Sequence, residues 1–178
     1  MPARPPEQRL QRLLLLARID ALSLVIVAGP AAVVSLCWRE WFGAAVGAGI
    51  ALCGALEWAG RNRLARRERS GLTWMVVAQL AGLALILLYV RSLALAPQTE
   101  RLLALLPSFT REQLDLLCPD PEELRALLAA LQRLTASLLA ILAILYQGGL
   151  ALYYLHARPL IQSVFAAPPV LAAPSPPV

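Results

Sequence analysis

The stretch ALSLVIVAGPAAVVSLCWREWFGAAVGAGIALCGALEWAG, residues 21–60, decides how this chain folds. Its charged residues are Arg39, Glu40 and Glu57. Two of them share the turn WREW, residues 38–41, which splits the stretch into two apolar blocks. Each block has roughly the twenty residues an α-helix needs to cross a hydrocarbon core of about 30 Å. So short a turn returns the second block at once, antiparallel to the first. Trp38 and Trp41 suit a headgroup belt, where an amphipathic ring is at home.

Two further blocks lie downstream, and the four predicted spans are 21–38, 41–60, 72–90 and 134–155. Composition agrees: 59% of the chain is hydrophobic and 15% charged, whereas a soluble domain is about a quarter charged. The sequence therefore predicts an all-α, polytopic membrane protein with four transmembrane helices. An extracytoplasmic helical segment should lie between helices 3 and 4. In order, the expected parts are a basic amphipathic lead (1–20), three spans with a basic loop at 61–70 (21–90), an outer segment (91–133), the fourth span (134–157) and a tail (158–178). The proline run from Pro168 to Pro177 should leave that tail disordered.

Local signals refine the outline. Pro5 and Pro6 can start a helix, because the first turn does not need their missing N–H groups. The apolar stretch beyond them is too long for a cleavable leader, so the first span is read as uncleaved. Pro30 should kink that span unless neighbours satisfy the freed carbonyl. In the outer segment Thr110 and Gln113 have the capping-box spacing. Asp120-Pro121-Glu122-Glu123 is the stronger start, with a cap residue, proline in the first turn and acids at the positive end of the dipole. No breaker follows before Gly148-Gly149, so the fourth span should be the inner part of one longer helix.

Every one of the 16 basic residues is arginine, a bias read as that of a GC-rich bacterial genome. Ten of them lie in the N-terminal lead, the loop after span two and the C-terminal flank. The excess of cations beside these spans places both termini in the cytoplasm, in a bacterial inner membrane. The net charge of +5 follows from the same clusters, and no nucleic-acid partner is expected. The expected partners are the lipid bilayer and either a second copy or another membrane protein.

Candidate functional residues are few. Gly43, Gly47, Ala51, Ala55 and Ala59 recur every four residues, a small-residue face that lets helix backbones approach closely. It could serve self-association or a partner helix, although packing within the same chain is the simpler expectation. Glu57 is the only acid inside the predicted spans. Its simplest role is an i,i+4 pair with Arg61 at the cytoplasmic interface. The sharper alternative gathers Glu57, Gln79 and Gln147 in a polar cluster, since all three fall in the cytoplasmic half of their spans. Arg61, Arg63, Arg66, Arg67 and Arg69 could contact acidic lipid as well as set the topology. Tyr153 and Tyr154 read as interface anchors. Cys37 and Cys118 could pair across an oxidising outer side, but no CxxC or zinc-ligand spacing exists. A single histidine, His156, builds neither a metal site nor a Ser/His/Asp set. No cofactor or metal is expected.

The layout resembles that of small four-span bacterial membrane proteins, a likeness that carries no activity with it. Quinone-linked disulfide proteins need paired outer cysteines, which Cys37 and Cys118 only approximate. Small multidrug transporters place an acid deep in their first span, and the predicted first span has none. The leading expectation is a non-enzymatic accessory or scaffold protein acting through helix–helix association. The alternative is a small transporter or channel subunit using the polar cluster.

Overall fold

A computed structural model describes residues 5–95, 103–104, 107–117 and 120–166. The described residues are all-helical, without strands. In chain order the helices are α1 (Pro6–Cys37), α2 (Trp41–Ala65), α3 (Ser70–Leu95), α4 (Ser108–Leu117) and α5 (Pro121–Ala143). A π-helical turn, Ile144–Gly148, leads into α6 (Gly149–His156) and α7 (Arg158–Ala166). Four helices are long and apolar enough to span a membrane: α1, α2, α3 and the stretch Pro121–Ala166.

The helices overrun the limits drawn from hydropathy. The first begins at Pro6 and continues through Pro30, so the basic lead is its opening half rather than a separate element. α2 carries Arg61 and Arg63 on its last turns, which shortens the basic loop to 66–69. α4 starts at Ser108, placing Thr110 inside the helix instead of at its cap. Asp120 does cap α5: the Glu122 N–H donates to its Oδ1 at 2.9 Å, and Arg125 closes on Glu122 at 2.8 Å. Pro121–Ala166 is 46 residues long, about 70 Å of helix, more than twice the thickness of a hydrocarbon core. Residues 158–166 of the expected tail are helical. The prolines from Pro168 onward and Cys118 lie outside the described residues.

The two short turns share one construction. At the end of α1 the Arg39 N–H bonds to Leu36 O (3.0 Å) and the Glu40 N–H to Ser35 O (2.8 Å). At the end of α2 the Arg67 N–H bonds to Leu64 O and the Glu68 N–H to Arg63 O, both at 3.0 Å. Both are Schellman closures, which need a left-handed residue after the cap. Arg39 and Arg67 fill that position, with φ of 57° and 62°. A non-glycine residue there costs about 1–2 kcal/mol, but it keeps a cation at the negative end of each helix dipole.

α1 packs along α2, α2 along α3 and α3 along α5 to α6, while α7 returns to α1. At the arginine-rich end Leu13, Ala17, Leu64, Leu72, Met75, Tyr154, Ala157 and Ile161 form the core cluster. Close backbone approach there depends on two glycines. A Cβ on Gly60 would stand 2.8 Å from Gly71 O, and one on Gly71 would strike Gly60 O in turn. In the opposite half of the bundle an apolar groove of about 500 Å³ opens between α1, α2 and α3, with Leu139 of α5 on its rim.

Candidate functional site: a buried carboxyl pair

Directly beneath the core cluster the helices each turn a polar side chain inward. On α1 the inward face runs Leu13, Ala17, Asp20, Ala21, Ala28, the three-to-four spacing of a helix stripe. On α2 it holds Gly54, Glu57, Gly60 and Leu64, and on α3 Leu72, Met75, Gln79 and Gly82. Glu57 stands eight residues before the end of α2 and Gln79 nine after the start of α3. At 1.5 Å per residue both lie about 12–14 Å into the bundle, at one depth.

Among the described residues, Asp20, Glu57, Gln79 and Gln147 are the buried polar or charged ones, each at most 3% exposed. The Gln79 amide donates to Asp20 Oδ2 at 2.5 Å, and the Tyr146 hydroxyl donates to Asp20 Oδ1 at 2.8 Å. The Tyr154 hydroxyl donates to Glu57 Oε1 at 2.6 Å. Asp20 and Gln79 stand near enough to the Glu57 carboxyl to act on it electrostatically, although neither is hydrogen-bonded to it. The two carboxyls therefore share one site, joined by residues from α1, α2, α3, the π turn and α6.

The sequence-derived cluster is partly assembled here and partly changed. Glu57 and Gln79 are brought together, and Gln147 is buried on the adjoining π turn. Asp20, which the hydropathy outline put just outside the first span, is the addition. Its signal was available in the helix period, seven residues after Leu13 and three after Ala17, once the helix is begun at Pro6. The expected Glu57–Arg61 pair is not formed. Glu57 turns inward to Tyr154, while Arg61 donates to Asn62 Oδ1 (2.9 Å) and Leu14 O (3.4 Å) and covers the Trp58 ring. Tyr154 corrects the reading as an interface anchor, being the largest fully buried side chain. Tyr153 beside it is exposed.

The π turn explains how one helix serves the site twice. A π turn adds one residue to the helical register and recurs at functional sites. Tyr146 within it reaches Asp20, and Tyr154, two turns on, reaches Glu57. Tyr146 is 54% exposed, so it is the member through which the cluster touches the surface of the bundle. Gly148 and Gly149 have open space where a Cβ would stand, so neither marks a close helix contact.

The small-residue face of α2 splits. Gly43 and Gly47 are buried, Ala51 is intermediate, and Ala55 and Ala59 are exposed. Four residues advance an α-helix by 400°, so an i,i+4 series drifts about 40° per step and leaves the interface. A Cβ on Gly47 would stand 3.0 Å from Ala32 Cβ, and one on Gly54 2.8 Å from Ala21 O, both on α1. The glycines that matter for close packing on α1 are thus Gly43, Gly47 and Gly54. Of the basic residues, Arg63 lies over Trp74 at 5.0 Å, whereas Arg66, Arg67 and Arg69 are exposed. Cys37 is exposed and Cys53 buried, both as free thiols.

Compared with protein-family models, with curated proteins and with solved structures, the chain matches none.

The energetics of the cluster follow from its place in the bundle. Two like unit charges 4 Å apart repel by about 4 kcal/mol at an effective dielectric near 20. An ionisable side chain in a membrane interior adds an insertion cost of about 3 kcal/mol, and such residues mark ion and proton pathways. Amides and hydroxyls can join helices without bringing a charge, whereas Asp20 and Glu57 each bring one when ionised.

Proposed function

We propose that this chain is a multi-pass protein of a bacterial inner membrane, both termini cytoplasmic, and serves as a small transporter or channel subunit. The coupling site is the carboxyl pair Asp20–Glu57, which exchanges a monovalent cation, the proton included. One observation carries this reading: two carboxyls from different helices meet in the bundle interior, hydrogen-bonded to Gln79, Tyr146 and Tyr154 and to no basic side chain among the described residues. Four apolar helices and arginines gathered at one end support the membrane topology. A non-enzymatic accessory role through helix–helix association needs a small-residue face open to a partner. Gly43 and Gly47 are occupied by α1 instead, leaving only Ala55 and Ala59 outward.

Glu57→Gln keeps the shape of the side chain and removes its exchangeable charge. In proteoliposomes under an imposed pH or cation gradient, the wild-type chain should carry flux and Glu57→Gln should reduce it to background. Equal flux from both, in protein of equal purity and fold, would sink the transporter reading and return the accessory role to the lead.

A further inference from the structure

Unpaired acceptors set this cluster apart from ordinary contacts between helices. Glu57 Oε2, Gln79 Oε1 and Gln147 Oε1 are buried without a hydrogen-bond partner. The hydroxyl donors nearby are already committed, Tyr154 to Glu57 Oε1 and Tyr146 to Asp20 Oδ1, and the Gln79 amide donates to Asp20 Oδ2. Buried polar atoms in native proteins almost always have a partner, so each orphan demands one. All three orphans are oxygens, and what they lack is a donor.

The groups facing Glu57 can be followed helix by helix. Asp20 comes from α1, Gln79 from α3 and Tyr154 from α6, with Tyr146 beyond Asp20. One turn along α2, the Arg61 guanidinium is held by Asn62 and Leu14 O over the Trp58 ring, and Arg18 covers the same ring at 5.8 Å. Neither forms an ion pair with either carboxyl. Two adjacent carboxyls without a basic partner relieve their repulsion by sharing one proton, as paired acids do elsewhere.

We propose that Asp20 and Glu57 form a binding site for one proton, carried on Glu57 Oε2 and donated in a hydrogen bond to the Asp20 carboxylate. The proposal rests on the transporter reading and names its ligand. A proton needs only the two carboxyls, and the described residues contain no group of three or more acids, cysteines or histidines able to hold a metal ion. On proton uptake Glu57 passes from carboxylate to carboxylic acid, the orphan Oε2 becomes a donor, and the net charge of the pair rises from −2 to −1. Tyr146, half exposed and bonded to Asp20, covers the pair on its surface side.

Infrared difference spectroscopy on the full-length protein in detergent tests this without any need for flux. Near neutral pH, where exposed Asp and Glu are ionised, the wild type should retain a protonated-carboxyl C=O band. Glu57→Gln should abolish that band, and Asp20→Asn should shift it by changing the acceptor. Raising sodium at constant pH should leave it in place. Absence of the band from the wild type, or its removal by sodium, would overturn the proton site; the second result would assign the pair to a metal cation. Should Glu57→Gln fail to fold, the wild-type band and its shift in Tyr154→Phe, which removes a donor from the same carboxyl, decide the matter. A band without flux sinks the transporter reading alone, and flux without a band sinks the proton site alone.

Discussion

At the residue scale the cluster turns on Tyr154, whose ring fills the core while its hydroxyl meets Glu57 at 2.6 Å. Tyr154→Phe keeps the ring packing and takes the donor away, leaving Glu57 with neither oxygen bonded to a hydroxyl. Stranding a buried charged or polar group costs about 1–3 kcal/mol. The variant should therefore melt measurably earlier in detergent, followed by circular dichroism. Tyr153→Phe is the control, since that side chain is exposed and surface changes usually stay within about 0.5 kcal/mol. Equal melting of the two variants would mean that the Tyr154 bond contributes nothing. Asp20 teaches the complementary point. Read as a polarity boundary it ends a hydropathy window; read by helix period it lies on the buried face.

At the element scale α1 and α2 are held together by glycines whose missing side chains let the backbones meet. Gly47 stands against Ala32, with 3.1 Å from a built Cβ to the Ala32 backbone. Gly47→Leu must push the helices apart, and overpacking of this kind costs typically about 1–3 kcal/mol. Stability in detergent should fall while the oligomer size, read by light scattering, stays that of the wild type. A changed oligomer size with stability intact would instead make the face a docking surface for another chain. Among the helix termini, the start of α5 was the most legible beforehand. Asp120 caps α5 because its carboxylate reaches the Glu122 N–H, a strictly local interaction that four residues specify. The π turn at Ile144–Gly148 had no such local mark. Its extra residue is accommodated by partners on other helices, Tyr146 with Asp20 among them.

At the scale of the whole molecule the arginine-rich end gathers the start of α1, the end of α2, the start of α3 and the packed helix α7. The arginines there would resist translocation, so the proposed topology puts this end in the cytoplasm. Reporter fusions at Ala65, at the end of α2, and at Asp115, within α4, should therefore give opposite signals, with Ala65 on the cytoplasmic side. The same signal from both would refute a four-span topology. In the proposed topology the acidic start of the long Pro121–Ala166 helix would lie with the outer segment.

The all-helical class and the four long apolar helices were legible in the sequence alone, because apolar length and charge placement act one residue at a time and need no partner. The turn WREW, the cap at Asp120 and the number of long apolar helices all come from such local chemistry. The membership of the site did not. Glu57 had two locally reasonable partners, Arg61 one turn away on its own helix and polar groups on other helices. Only the packing of α1, α3 and α6 against α2 chose Asp20, Gln79 and Tyr154 over Arg61. A buried charge takes whichever partners the surrounding helices bring within hydrogen-bonding reach, and that depends on helix rotation and depth across the bundle. Whether the small-residue stripe is spent inside the chain or left for a partner was decided in the same way, by the drift of an i,i+4 series around a 3.6-residue helix.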